Sequence, residues 1–215
     1  MKFQFRSQTI KASALLLRAA LGMLLLCVSA HASTIFHVNV DTSSLIGNSN
    51  GPFLLDFQFN NGSVLGNNSA TVDNFNYFGG SVVNDTVLIG GALGNIGSSV
   101  LFNNNAPFQE LFQTFAPGTR LKFDVTLTTN VDGATPDVFA FAILDHDLFN
   151  IPTNGLGDSL LLVNLNNANP PAQTSAGTGE FSSVRTSVPE PASCILLLVG
   201  VPFLALMARR KRDVM

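Results

Sequence analysis

Along the middle of the chain, apolar and polar residues alternate in short runs separated by turn-forming pairs. Residues 120–128 show the pattern most clearly. Leu121, Phe123, Val125 and Leu127 share one parity, while Arg120, Lys122, Asp124, Thr126 and Thr128 share the other. Successive side chains of a strand point to opposite faces, so this spacing predicts a half-buried β-strand. Asn50-Gly51, Asn61-Gly62, Gly79-Gly80, Gly90-Gly91, Pro117-Gly118, Asp132-Gly133 and Asn154-Gly155 punctuate the runs; such pairs preset a turn or reach positive φ at little cost. Strands are predicted near 35–41, 53–59, 70–77, 81–89, 98–102, 108–115, 120–129, 138–145 and 159–165. The turn at Pro117-Gly118 predicts a hairpin joining 110–115 to 120–128. Runs 138–144 and 160–165 are almost wholly apolar, which predicts central strands covered on both faces. The expected fold class is all-β: a two-sheet sandwich of jelly-roll type, flanked by a signal peptide and one C-terminal transmembrane helix.

Two apolar stretches stand outside the alternating pattern. Lys2, Arg6, Lys11 and Arg18 precede or open a short apolar run at 19–28, and Ala30-His31-Ala32 follows it. Positive start, apolar middle and small residues before a cleavage point are the parts of a signal peptide over residues 1–32. Signal peptidase is expected to cut between Ala32 and Ser33. A run this short does not cross a bilayer core that needs roughly 20 residues. Leu26 before Cys27 argues against lipidation of that cysteine, where a small residue is normal. Near the other end, 192–208 carries no charge and is followed at once by Arg209, Arg210, Lys211 and Arg212. As a helix it spans roughly 25 Å, and the basic cluster holds that end in the cytoplasm. The intervening domain is then expected outside the inner membrane.

Val188-Pro189-Glu190-Pro191 lies directly before that apolar segment. Prolines keep a backbone extended and unable to join the following helix, so a protease can read it. Motif, helix and basic end in this order resemble the PEP-CTERM sorting tail of Gram-negative bacteria, over residues 188–215. The same tail is also called an ice-binding protein C-terminal domain, a label for the tail alone. The resemblance implies an exosortase-type membrane enzyme as partner, cleavage near the Pro-Glu-Pro, and delivery to the cell surface or beyond. The domain itself resembles a family of small exported PEP-CTERM proteins of unknown biochemical role. The likeness covers most of residues 36–165. It rests on Phe36-His37-Val38-Asn39-Val40-Asp41-Thr42-Ser43, on Gly51-Pro52-Phe53-Leu54-Leu55-Asp56-Phe57-Gln58-Phe59, and on Asn74-Phe75-Asn76-Tyr77-Phe78-Gly79-Gly80-Ser81. Leu127-Thr128-Thr129-Asn130 and Pro136-Asp137-Val138-Phe139-Ala140-Phe141-Ala142-Ile143-Leu144-Asp145 complete it. That family brings no established catalytic residues. Residues 33–165 are expected to form the folded domain. Residues 166–187, rich in Asn, Pro, Ala, Ser, Thr and Gly, are expected to be a flexible spacer of roughly 25 Å reach.

Charge sharpens this division. Between residues 33 and 187 only Arg120, Lys122 and Arg185 stand against 12 Asp and Glu, a net charge of −9. Nucleic acid requires clustered Lys and Arg, so it is not an expected partner. The acidity suits solubility and also the attraction of divalent cations. Both cysteines, Cys27 and Cys194, lie in the ends, leaving the domain no disulfide and no thiolate site. It has no Gly-x-Ser-x-Gly elbow, and its histidines are His37 and His146 and its glutamates Glu110 and Glu180. This poverty of catalytic groups points away from an enzyme. Asp145-His146-Asp147 is the densest group of ligand-type side chains, and its oxygens would suit Ca²⁺. On an extended strand Asp145 and Asp147 face one way and His146 the other; a solvated strand end is the alternative. No other cofactor is expected. Most of the domain's fifteen phenylalanines belong to the core, and the scarcity of Tyr and Trp counts against an aromatic sugar-binding platform. The expectation is a non-enzymatic exported surface or extracellular-matrix protein, with extracellular polysaccharide a candidate partner. The alternatives are a carbohydrate-binding module and a Ca²⁺-dependent adhesion domain.

Overall fold

The computed structural model describes residues 33–62, 68–103, 105–130, 135–165 and 170–189. Thirteen strands run through them: β1 (Ser33–Asp41), β2 (Phe53–Asn60), β3 (Ala70–Asn76), β4 (Ser81–Val82), β5 (Val87–Ile89), β6 (Leu93–Asn95), β7 (Ser99–Phe102), β8 (Phe108–Ala116), β9 (Arg120–Thr128), β10 (Asp137–Leu144), β11 (Leu161–Leu165), β12 (Ala172–Thr174) and β13 (Arg185–Ser187). They form two antiparallel sheets. One has six strands in the order β13-β1-β9-β3-β7-β6. The other has seven, ordered β12-β11-β10-β2-β8-β4, with β5 also paired to β8. Sequence neighbours often lie in opposite sheets, so most connections cross from one sheet to the other.

Alternation makes these strands, and the core lies where their apolar faces meet. β1 and β9 pair along their whole length, from Ser33 opposite Thr128 to Asp41 opposite Arg120. That register puts Phe36, Val38 and Val40 on the same side as Leu121, Phe123 and Val125, all of them buried. Across the core, β2 contributes Phe53, Leu55, Phe57 and Phe59, and β10 contributes Phe139, Phe141 and Ile143. The sheets meet ring to ring. Phe57 lies 4.8 Å from Phe141 within its own sheet and 5.2 Å, edge-on, from Phe123 of the other. Phe123 and Phe141 close the triangle at 5.0 Å. Such pairs contribute about 0.5–1.5 kcal/mol each beyond the burial of their area. β10 lies between β2 and β11, as its unbroken apolar run predicts.

Three expectations are corrected. Residues 81–89 are not one strand but two, β4 and β5, because the chain turns at Asn84, whose φ is 65°. Residues 108–115 and 120–128 do not form a hairpin. β8 pairs with β2, β4 and β5, whereas β9 belongs to the other sheet beside β1 and β3, so Pro117-Gly118 arches across the core. Both strands carry an apolar face, and pairing them edge to edge would leave those faces without a second layer. The arch packs tightly: a β-carbon on Gly118 would lie 2.2 Å from the Tyr77 carbonyl oxygen. Finally, the stretch expected to be a flexible spacer is folded from 170 onward. β12 extends the seven-stranded sheet beside β11, and β13 extends the six-stranded sheet beside β1. Between them Phe181 and Val184 are buried in the core, so two well-placed apolar residues suffice to pin a segment of otherwise linker-like composition.

Candidate functional site

β8 breaks the inside-outside pattern of its neighbours. Gln109, Leu111, Gln113 and Phe115 are buried, while Phe108, Glu110, Phe112 and Thr114 take the outer face. Two amides thus enter the interior and two phenyl rings leave it. Both glutamines find partners there. Gln109 accepts a hydrogen bond from Asn103 N at 3.0 Å and donates to the Asn103 carbonyl. Gln113 Nε2 donates to the carbonyls of Val83 at 3.0 Å and Asn84 at 3.2 Å, and its Oε1 accepts from Thr86 Oγ1 at 2.6 Å. Satisfied amides make the inversion tolerable. Places where a strand departs from its binary pattern are where function is looked for first.

On the outer face of the seven-stranded sheet, register aligns two tracks. β8 presents Phe108, Glu110 and Phe112 opposite Asn60, Gln58 and Asp56 of β2. Beyond β2 stand the small Ala140 and Ala142 of β10, opposite Gln58 and Asp56. Beyond β8 stand Val87 and Ile89 of β5, 53% and 42% exposed. Phe108 is 36% exposed. At the centre, Gln58 Nε2 donates to Asp56 Oδ2 at 2.8 Å and to Glu110 Oε1 at 3.1 Å. Asp56 is only 2% exposed, and its Oδ1 is buried without a hydrogen-bond partner. Burial first, the Glu110 charge second and a hydrogen bond to Glu110 push the Asp56 carboxyl up to about 7, against the pull of the Gln58 amide. Burial also raises Glu110. No cation answers these carboxyls. Among the described residues, Arg120 and Lys122 lie on β9 and Arg185 on β13, all in the other sheet.

The outer face of the six-stranded sheet carries a second polar group. His37 Nδ1 donates to Asp124 Oδ1 at 2.7 Å, and Asn74 Nδ2 donates to Asp124 Oδ2 at 2.9 Å. Burial alone would raise Asp124; the hydrogen bonds from His37 and Asn74 outweigh it and hold the carboxyl below its ordinary value. This arrangement orients an imidazole at the surface.

The residues singled out from sequence fall as follows. Asp145 opens a tight turn, where its Oδ1 accepts from the backbone N–H of Asp147 at 2.9 Å and of Phe149 at 3.0 Å. Asp147 lies exposed, 3.4 Å from His146 Nε2. The turn therefore engages one carboxylate and leaves the other in solvent. Among the described residues no group of three or more His, Cys, Asp or Glu is arranged to hold a metal ion. Ser33 is the first residue of β1, Val188 packs against the core, and Pro189 is exposed. Ala30, Ala32, Glu190, Pro191, the apolar segment 192–208, Arg209, Arg210, Lys211 and Arg212 lie outside the described residues. Among the described residues no helix is long and apolar enough to cross a membrane. Sequence reasoning missed Asp56, Gln58, Phe108, Glu110 and Phe112. The available signal was a single charge inside the apolar run 53–59, and phenylalanines sharing parity with Glu110 in 108–112. The chain matches no protein-family model, no curated protein and no solved structure.

Proposed function

We propose that this chain is a non-enzymatic component of the cell surface or extracellular matrix, exported by its signal peptide and sorted through a PEP-CTERM tail. The two antiparallel sheets are read as a sandwich of jelly-roll type, a reading supported by the repeated crossings between sheets. One observation supports the functional reading: the last strand ends directly before the Val-Pro-Glu-Pro motif. That strand closes at Ser187, so Val188-Pro189-Glu190-Pro191 follows at once, with Pro189 exposed to an enzyme. The precursor is held in the inner membrane with the domain in the periplasm. An exosortase-type enzyme then cuts near the Pro-Glu-Pro and releases the domain outward.

Changing Pro189 and Pro191 to Ala leaves insertion intact, since neither lies in the apolar span. It blocks processing, because alanine lets the helix extend back over the recognition site. Neutralising Arg209–Arg212 instead weakens orientation and retention, by roughly 1 kcal/mol per charge near an anionic leaflet. Fractionation and blotting of both variants, in a host that has the sorting enzyme, checks this. Normal release of the Pro-to-Ala protein would reduce the tail to an anchor.

A further inference from the structure

We propose that the outer face of the seven-stranded sheet, across β2, β8 and β5, binds a linear polysaccharide carrying free amino groups. Four features of the face select this class of ligand. First, Phe108 and Phe112 are turned outward on β8 while Gln109 and Gln113 take their place inside. Four residues apart on a strand, the rings stand about 13 Å from each other along one line. Second, the polar groups beside them are acceptors in excess. The carboxyls of Asp56 and Glu110 are hydrogen-bonded to each other and share a single amide nitrogen, that of Gln58. A ligand rich in hydroxyl and ammonium donors answers this excess.

Third, charge excludes acidic glycans. Among the described residues the face has no Lys or Arg, and residues 33–187 carry a net charge of −9, so uronates and sulfated sugars are repelled and ammonium groups attracted. A phenyl face also attracts an ammonium directly. Fourth, the backbone of β2 and β8 is closed to a peptide. β2 is paired on both edges, by β10 and β8, and β8 by β2 on one side and by β4 and β5 on the other. Strand addition, the usual way a sheet captures an extended peptide, needs an open edge. Recognition on β2 and β8 must pass through side chains, and only β5, paired with β8 alone, leaves an edge on this face where a peptide could add. A pyranose chain presents a repeating C–H face for the phenyl track and repeating donors for Glu110, Gln58 and Asn60 beside it.

The site is independent of the sorting reading, since binding is measured on the purified protein and processing in cells. Full-length protein in a neutral detergent is titrated calorimetrically with glucosamine hexamer, glucose hexamer and a uronic acid hexamer. The glucosamine hexamer is expected to bind saturably, at least tenfold more tightly than glucose hexamer, and the uronic acid hexamer not to bind. Phe108→Ala and Glu110→Gln each weaken glucosamine binding about tenfold, while Lys122→Gln on the opposite sheet leaves it unchanged. Melting curves identify any variant that fails to fold, and Phe112→Ala and Asp56→Asn then replace it. Absence of saturable glucosamine binding would overturn the proposal. So would equal binding of the uronic acid hexamer, wild-type affinity in both the phenylalanine and the glutamate variants, or equally tight binding of a lysine hexapeptide.

Discussion

Asp56 and Asp137 are both buried, yet they meet opposite circumstances. Asp137 accepts from Gly62 N at 2.8 Å on one oxygen and from Asn68 Nδ2 at 2.9 Å on the other, so its burial is hydrogen-bonded throughout. Asp56 has one donor for two oxygens and Glu110 as a neighbour, and its carboxyl rises from 3.8 to about 7. A raised folded-state value means the native protein holds that proton more tightly than the unfolded chain. Its contribution to stability is complete below about pH 4 and is lost as the pH rises through 7. Glu110, also raised, acts in the same direction. Stability is therefore expected to fall between about pH 4 and pH 7 by a few kcal/mol, a drop of roughly 5–10 °C in melting temperature for a domain of this size. Asp56→Asn keeps a donor for Glu110 and cannot ionise. It should flatten this dependence and melt above the wild type at pH 8. Circular dichroism melts at four pH values decide the matter; parallel curves for the two proteins would disprove the assignment.

At the scale of elements, β8 organises the edge of its sheet through a side chain. Gln113 replaces the ladder that is interrupted between β4 and β5, holding the carbonyls of Val83 and Asn84 and the hydroxyl of Thr86. Val83 N still reaches Thr114 O at 2.9 Å, so the interruption is confined to the turn at Asn84. Gln113→Leu fits an apolar side chain to a buried position but strips those groups of their partner. A loss of roughly 1–3 kcal/mol is expected in urea titrations, with faster hydrogen exchange confined to 81–89. A neutral or stabilising result would mean that water or a shifted backbone takes over the amide's role. The arch that follows is fixed just as locally. Thr42 Oγ1 donates to the Gly118 carbonyl at 2.8 Å, tying the β8–β9 connection to the end of β1.

Across the whole molecule, the last folded segment acts as a strap. β12 adds an edge to one sheet, β13 adds an edge to the other, and Phe181 between them meets Phe53 edge-on at 6.1 Å. Bridges from Gly177 to Thr153 and from Ala176 to Arg185 fasten its middle. Phe181→Ala removes a buried ring that links the strap to β2, at an expected cost of about 3–5 kcal/mol. Limited proteolysis should find new cuts within 172–187 in that variant and few in the wild type. Equal resistance of the two proteins would show that the strap contributes little. With Val188 packed on the core, Pro189 stands directly beside the folded surface.

The sequence by itself determined the all-β class and the positions of most strands, because period-two alternation and turn chemistry are local properties of a few residues. β1, β2, β9 and β10 were legible for that reason, and so was the interior place of β10. Tertiary structure decided the rest. Whether β8 and β9 pair or face each other across a core depends on a second layer that neither strand encodes. Which face of β8 turns inward depends on Asn103 and on the 83–86 turn being there to receive two amides, since a strand of mixed parity has no preferred side of its own. The candidate face followed from that choice, and no count of aromatic residues could have located it. The segment 166–187 read as a tether because composition averages over residues. Two apolar side chains with somewhere to insert outweigh the polar ones around them, and that place exists only once both sheets are formed.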